Sequence, residues 1–176
     1  MYKRLGVIVL AIVFLSLILV FHDSASCAVS RLEVMNQGVS LTGVVDDGAK
    51  VILENGYYNC RSVARGDIVA YNYGGSNVPI IKIVYGVPRD EFSFERQDGY
   101  WELLSNGKVA ENSRGEPYRL GESQYNMLSL YFKDYGGVIP PDAYLILGNL
   151  AGGSVDSTRF GLVDKSDLLG RIRTSI

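Results

Sequence analysis

The stretch that decides the fold is DIVAYNYGGSNVPIIKIV, residues 67–84. Two runs rich in β-branched and aromatic residues, 68–71 and 80–84, flank the turn-forming residues GGSN at 74–77. This pattern is typical of two antiparallel strands joined by a tight hairpin. The sequence therefore predicts a β-hairpin near the middle of the chain.

Outside this hairpin, short apolar or aromatic runs alternate with glycine-rich turns, which indicates a mainly β protein. The strand candidates are Lys50–Leu53, Asp67–Tyr73, Pro79–Val84, Glu91–Arg96, Tyr100–Ser105 and Ala143–Leu147. Asn106-Gly107 predicts a second hairpin, between 101–104 and 108–109. Residues 111–117 are polar and predict a loop, and Glu122–Lys133 predicts a short helix. We expect one compact domain with an antiparallel sheet or a barrel-like arrangement.

The first 21 residues predict a membrane anchor. Residues 5–21, LGVIVLAIVFLSLILVF, contain no charge, and a helix of that length spans ~26 Å, close to the ~30 Å hydrocarbon core. Lys3 and Arg4 precede it, so residues 1–4 form a cytoplasmic tail and 22–176 an exported domain. The small residues at 24–28 leave a cleaved signal peptide as the alternative. Both interpretations export the domain.

The composition excludes several kinds of site. The single histidine, His22, directly follows the apolar segment, so a histidine-based hydrolase triad is excluded. Two cysteines and one histidine are too few for an ordinary zinc site, and we expect no metal and no cofactor. A net charge of −2 argues against a nucleic-acid partner. Cys27 and Cys60 could pair in an oxidising compartment, and the sequence leaves their pairing open.

Lys82 is the lysine in an unusual position, within the apolar strand candidate Pro79–Val84. In a strand its side chain shares a face with those of Ile80 and Val84. Burial among apolar side chains lowers the pKa of an amine, and a neutral amine can act as a general base. The alternative interpretation is an edge strand from which the ammonium group extends into water.

Two motifs in order resemble the type I signal peptidase family. The segment IKIVYGVPRD at 81–90 resembles the lysine box I-K-R-V-x-G-x-P-G-D of these peptidases. The segment RGDIVAY at 65–71 resembles the R-G-D-I-V-x-F strand that precedes that box in the family, at a matching interval. The resemblance covers nearly the whole chain and implies a Ser-Lys dyad with Lys82 as the base.

The family resemblance also suggests the nucleophile. The segment SLTGVVDDGAKV at 40–51 resembles the serine box S-M-x-P-T-L-x-x-G-D-x-V, which makes Ser40 the nucleophile and its backbone N–H an oxyanion donor. Gly43 replaces the expected proline and Ala49 the expected aspartate. Ser62 is the rival nucleophile, because NCRSVARG at 59–66 resembles the shorter serine motif of conjugative-transfer signal peptidases.

A further motif lies near the C-terminal end. The segments YLILGN at 144–149 and SVDSTRFG at 154–161 resemble the family's G-D-N…S-x-D-S-R-x-x-G box. By that resemblance Ser154 hydrogen-bonds the amine of Lys82, and Asp156 supports the scaffold, through Arg159 in the family pattern. The sequence departs from the box at Asn149 and at Thr158.

The resemblance implies a membrane-anchored serine endopeptidase that cleaves N-terminal signal peptides from exported preproteins. It would lie in the bacterial cytoplasmic (inner) membrane as a single-pass protein, with the lipid bilayer as a partner and the catalytic domain on the extracytoplasmic side. Substrates would carry small residues before the cleavage site and lie extended beside the cleft. The predicted substrate-binding residues are Met35, Asn36, Gly38, Val45, Ile80 and Ile81.

Two alternatives stay open on the sequence alone. The first is the same chemistry on a narrower substrate, a conjugative-transfer or pilin-specific peptidase, since the polar loop at 112–117 resembles that branch. The second is a catalytically inactive relative that serves as a membrane-anchored binding or assembly subunit. The departures at Gly43, Ala49, Asn149 and Thr158 motivate the second.

Overall fold

The structure, a computed structural model, describes residues 28–74 and 78–174. Within these ranges the chain forms eleven strands and two helices. The strands are β1 (Ser30–Met35), β2 (Lys50–Asn55), β3 (Ile68–Tyr71), β4 (Ile80–Gly86), β5 (Phe92–Gln97), β6 (Tyr100–Ser105), β7 (Lys108–Val109), β8 (Arg119–Leu120), β9 (Ala143–Leu147), β10 (Val163–Asp164) and β11 (Leu168–Thr174). The helices are α1 (Glu122–Tyr135) and α2 (Ser157–Phe160), and single 3-10 turns occupy Tyr57–Asn59 and Lys165–Asp167.

The strands form two antiparallel sheets. The larger has seven strands in the order β1-β2-β11-β3-β4-β9-β10, and the smaller is built on β5, β6, β7 and β8. Within each sheet, every pair of neighbouring strands is antiparallel. The predicted mainly β, antiparallel fold is confirmed. The predicted anchor at 5–21 and Cys27 lie outside the described residues, and none of the described helices is long and apolar enough to cross a bilayer.

The predicted central hairpin is β3 and β4. Val69 pairs with Lys82 and Tyr71 pairs with Ile80, which fixes the register of the two strands. On its other side β4 pairs with β9, so Lys82 lies on an interior strand. The edge-strand interpretation of Lys82 is therefore wrong, because a strand from about 60 residues further along the chain covers it.

The smaller sheet and α1 pack against Leu145 and Leu147 of β9 in one hydrophobic cluster. Asn106 and Gly107 both have positive φ, 50° and 73°, and join β6 to β7 as the sequence predicted. The ring of Trp101 on β6 stacks on Tyr125 of α1 with their centroids 3.9 Å apart. The predicted helix is confirmed and continues two residues further, to Tyr135.

The sequence did not predict three strands of the large sheet, β1, β10 and β11. β11 lies between β2 and β3 and pairs with both. Glu54 on β2 is 3% exposed and accepts two hydrogen bonds from Arg171 on β11, with Arg31 on β1 within 3.5 Å. This carboxylate therefore joins three neighbouring strands, and β11 connects the part of the sheet that carries β1 to the part that carries β4.

We predict that Gly170→Ala destabilises the domain by about 1–3 kcal/mol, because a Cβ at position 170 would overlap the backbone carbonyl of Glu54. The shift should appear in the thermal unfolding midpoint. Gly152→Ala is the matched control, since a Cβ there meets no atom within 4 Å. Equal midpoints for the two variants would contradict the close approach of β11 to β2.

Candidate active site

Ser40 lies on a closed loop between β1 and β2. The backbone of Asn36 closes the loop at its base, donating to Ala49 O (2.9 Å) and accepting from Gly48 N (2.8 Å). The buried amide of Asn36 also donates to the carbonyl oxygens of Val45 (3.2 Å) and Asp46 (3.0 Å). Asn36 thus holds the loop together, which is a structural function in addition to its predicted place in the cleft.

The turn around Ser40 orients the backbone N–H of that residue. Thr42 donates to Val39 O through both its backbone N–H (3.1 Å) and its hydroxyl (2.8 Å), while the side chain of Leu41 is fully buried. In a trans peptide the C=O and N–H point in opposite directions, so fixing the carbonyl of Val39 also fixes the N–H of Ser40. Within the described residues this N–H donates to no other group. It is free to bind an oxyanion.

The side chains of Ser40 and Lys82 meet directly. Lys82 Nζ lies 2.9 Å from Ser40 Oγ and also donates to Ile81 O at 2.9 Å. The lysine side chain is only 4% exposed, whereas Ser40 is half-buried at the edge of the cleft. The distance between Lys82 Nζ and Ser40 Oγ is within the range that proton transfer between a nucleophile and its base requires.

Two opposing effects set the pKa of Lys82. Burial removes water from the ammonium form and lowers the pKa, whereas the negative charge of Asp156 raises it. Burial dominates, and the pKa falls from 10.5 to about 8. A substantial fraction of Lys82 is therefore a neutral amine near physiological pH.

Asp156 connects the lysine environment to the loop after β9. The fully buried carboxylate accepts from Ser154 Oγ (2.7 Å) and Gly148 N (3.0 Å) through one oxygen. Its other oxygen accepts from the backbone N–H (3.0 Å) and the hydroxyl (2.7 Å) of Thr158. A Cβ at Gly148 would overlap Ser154 Oγ and approach Ser40 O to 2.9 Å, so glycine is needed there.

The supporting residues are arranged differently from what the family resemblance implied. Ser154 was expected to bond Lys82, but its hydroxyl donates to Asp156, whose charge in turn acts on the amine. Arg159 was expected to contact Asp156, but Arg159 is exposed and Thr158 supplies the donors. The departure from arginine at position 158 therefore replaces an ion pair by two hydrogen bonds.

A cleft of about 150 Å³ opens beside the dyad, and a second cavity of about 260 Å³ adjoins it. The residues that line both are Met35, Gln37, Val78, Pro79 and Ile81. Asn36, Ser40, Ile80 and Lys82 line only the first. Of the predicted substrate-binding residues, Met35, Asn36, Ile80 and Ile81 thus lie at the cleft.

Two predicted substrate-binding residues, Val45 and Gly38, do not line these cavities. Val45 is 3% exposed and packs in the core with Leu41, because the turn directs its side chain inwards. The N–H of Gly38 is bound to Asp47 Oδ1 at 2.7 Å and is not directed at a substrate. The rival nucleophile Ser62 is exposed on the connection before β3, whereas Ser40 is the serine against Lys82.

Sequence reasoning missed Thr42 and recognised Asn149 only as a departure from a motif. Thr42 did carry a local signal, because a threonine hydroxyl often bonds the carbonyl three residues earlier in a turn, as Thr42 does with Val39 O. Asn149 donates its N–H to Ser40 O at 2.6 Å across more than 100 residues of chain, a contact that has no local signal. Among the described residues, no cluster of His, Cys, Asp and Glu is arranged to hold a metal ion.

Comparison with known proteins identifies the family of this chain. Residues 4–176 match the family model described as signal peptidase, peptidase S26. The chain belongs to this signal peptidase family. The resemblance seen in the sequence motifs is thereby confirmed.

Individual signal peptidases share between 22% and 31% of their aligned residues with this chain. Signal peptidase IB of Staphylococcus aureus is 27% identical over 147 residues, which cover 77% of this chain and 72% of that protein. A probable signal peptidase I-2 of Synechocystis is 31% identical over 129 residues, covering 69% of this chain and 52% of that protein. A crystal structure of a signal peptidase I from Enterococcus faecalis matches with a TM-score of 0.45 and 22% identity, covering 64% of this chain and 98% of that one.

We predict that Lys82→Met raises the free energy of unfolding at pH 7 by about 3 kcal/mol, the equivalent of lowering a pKa from 10.5 to about 8. Below pH 8 the folded wild type carries the full penalty of a buried ammonium group. Between pH 8 and 10.5 the unfolded chain binds the proton and the folded chain does not, so wild-type stability rises with pH.

The gain from Lys82→Met should therefore shrink between pH 7 and pH 9.5 in denaturant titrations. Lys108→Met on the exposed strand β7 is the control and should give no such change. A gain that is the same at both pH values would contradict the lowered pKa of Lys82.

Proposed function

We propose that this chain is a membrane-anchored serine endopeptidase that cleaves N-terminal signal peptides from exported preproteins through a Ser40–Lys82 dyad. The observation that carries the proposal is the 2.9 Å contact between Ser40 Oγ and the buried Lys82 Nζ. The same contact is an argument against the inactive-relative alternative, since the nucleophile and a base with a lowered pKa are together despite the departures from the family motifs.

In the proposed reaction, neutral Lys82 takes the proton from Ser40 Oγ as that oxygen attacks the scissile carbonyl. The ammonium group then gives this proton to the leaving amine as the C–N bond breaks, which leaves an ester on Ser40. Water attacks the ester with Lys82 again as the base, and the signal peptide leaves with a free carboxylate. The proton from Ser40 leaves on the new amine, and the proton taken from water passes through Lys82 to Ser40 Oγ. The dyad is thereby restored, one water is consumed, and no cofactor is needed.

The oxyanion that forms during both attacks requires a donor beside Ser40. The N–H of Ser40 is available, and Thr42 holds the adjoining carbonyl so that this N–H keeps its direction. A donor fixed in advance stabilises developing charge without reorganising, and one such donor is worth about 10²–10³ in rate.

The cleft supports an extended substrate with small side chains. Its apolar walls come from Met35 at the end of β1 and from Pro79 to Ile81 at the start of β4. A chain lying between these strands adds main-chain hydrogen bonds to the sheet, and the two adjoining cavities, both lined by Ile81, receive alternate side chains. The cavities measure about 150 and 260 Å³, and the preference for small side chains at the first and third positions before the cut is what the family resemblance implies.

Residues 5–21 would anchor the enzyme in the bacterial cytoplasmic membrane with the catalytic domain on the extracytoplasmic side. Confinement of enzyme and preprotein to one surface raises their effective concentration. The described chain begins at Ala28, only seven residues after the predicted anchor, so β1 and the cleft beside it lie within about 30–50 Å of the bilayer.

We predict that Ser40→Ala and Lys82→Ala each reduce preprotein cleavage by about 10³-fold or more while the domain stays folded. Because Lys82 must be neutral, wild-type kcat/KM should rise with pH and level off above about pH 8. The measurement is cleavage of a preprotein by the detergent-solubilised full chain between pH 6 and 10. Ser62→Ala is the control and should behave as wild type. Loss of activity in Ser62→Ala with activity kept in Ser40→Ala would refute the dyad.

We predict that Ile81→Ala relaxes the preference for small residues. Ile81 lines both cavities, so truncating its side chain enlarges them and admits larger side chains before the cut. Cleavage of preproteins that carry alanine, valine or leucine at the first position before the cut, analysed by mass spectrometry, measures the change. Ile83→Ala, two residues along β4 and outside both cavities, is the matched control. An unchanged alanine-to-leucine ratio in Ile81→Ala would remove Ile81 from the substrate site.

A further inference from the structure

Asn149, on the loop after β9, contacts the nucleophile turn on both sides of Leu41. Its backbone N–H donates to Ser40 O at 2.6 Å, and its side-chain Nδ2 donates to Thr42 O at 2.8 Å. Asn149 is only 1% exposed, so these bonds form away from water. The nucleophile turn is thus held at the carbonyls of Ser40 and Thr42 and at the buried side chain of Leu41 between them.

The remaining groups of Asn149 bind the polar loop at 111–117. Nδ2 donates a second bond to Ser113 Oγ (2.8 Å), and Oδ1 accepts from Ser113 N (2.9 Å). The carbonyl of Asn149 accepts from Asn112 Nδ2 at 3.1 Å. Only an amide provides two donors and an acceptor in this arrangement, since a carboxylate has no donor at neutral pH.

Gly43 belongs to the same arrangement. Its φ is +89°, and a Cβ placed there would lie 3.5 Å from Asn149 Nδ2 and 3.9 Å from Ser113 Oγ. Proline, the residue that the family motif has at this position, is restricted to φ near −65° and cannot adopt this turn. The departures at Gly43 and Asn149 are therefore two parts of one local structure.

We propose that Asn149, with Ser113 and Gly43, forms a clamp that positions Ser40 for attack, which makes Asn149 a positioning residue of the reaction. The inference rests on the proposed Ser40–Lys82 function. A displacement of about 1 Å in a reacting group can reduce the rate by about 10²-fold. The clamp limits such displacement by tying the turn to the loop that Asp156 also holds, through Gly148.

The test compares Asn149→Asp with Asn149→Ala in the full chain. Asn149→Asp keeps the shape of the side chain but places a carboxylate oxygen against Thr42 O in place of a donor. We expect kcat to fall about 10²-fold in both variants with KM changed less than about threefold, because Asn149 does not line the cleft. The rate at which a serine-directed acylating inhibitor labels Ser40 should fall with kcat. A side chain that only fills space would allow Asn149→Asp to keep wild-type kcat, which would overturn the clamp.

Two further variants keep the test decisive. Ser113→Ala alters an exposed residue and removes one acceptor of the amide, so it should fold and lower kcat by about 3–10-fold; wild-type kcat here would also contradict the clamp. Glu54→Gln, which removes a buried ion pair far along β2, is the control and should lower the thermal midpoint while kcat stays unchanged.

The outcomes separate this inference from the proposed function. Gly43→Pro restores the family residue and should lower kcat as Asn149→Ala does, since it cannot form the turn. If Asn149→Asp is labelled and cleaves preprotein at wild-type rates while Ser40→Ala is inactive, only the clamp is overturned. Full cleavage by Ser40→Ala would overturn the proposed function itself.

Discussion

The structure depends on one unfavourable burial, that of the Lys82 amine. An ammonium group removed from water is destabilised unless a partner compensates, and here Asp156 compensates only in part. The remaining penalty appears as a pKa of about 8 and supplies the neutral base that the proposed chemistry requires. The packing around Lys82 maintains this penalty, because β4 is an interior strand and the lysine is only 4% exposed beside Ser40.

A base in a fixed position is useful only if the nucleophile is fixed as well, and a serine on a loop is not rigid by default. Contacts within the turn and contacts from the loop after β9 both hold Ser40 in place. Leu41 anchors the turn in the core, Thr42 fixes the peptide before Ser40, and the loop after β9 binds the carbonyls of Ser40 and Thr42. The amine and the hydroxyl therefore belong to separate segments that meet through the region from Gly148 to Asp156.

Most of the fold could be predicted from the sequence because its signals are local. Alternating apolar residues marked β3 to β6 and β9, and Asn106-Gly107 marked a hairpin. Strands β1 and β11 were missed because charged residues occupy alternate positions in them. Their arginines pair with Glu54 only after three strands have come together. The dyad was found through motif order, whereas the amide of Asn149 was not. Its partners are distant in sequence, and nothing near Asn149 in the chain distinguishes it from any loop asparagine.

The strand order also governs when the active site can exist. Ser40 lies on the loop between the paired strands β1 and β2, and Lys82 lies in the hairpin of β3 and β4. Neither β1 nor β2 pairs with β3 or β4. They are joined by β11, Leu168–Thr174, which inserts between β2 and β3. Non-local pairing of this kind forms late, after the intervening chain has been made. A nascent chain that ends before Leu168 thus carries Ser40 and Lys82 without the strand that brings their two parts of the sheet together. The fold therefore delays the pairing of Ser40 with Lys82 until residues 168–174 have been made.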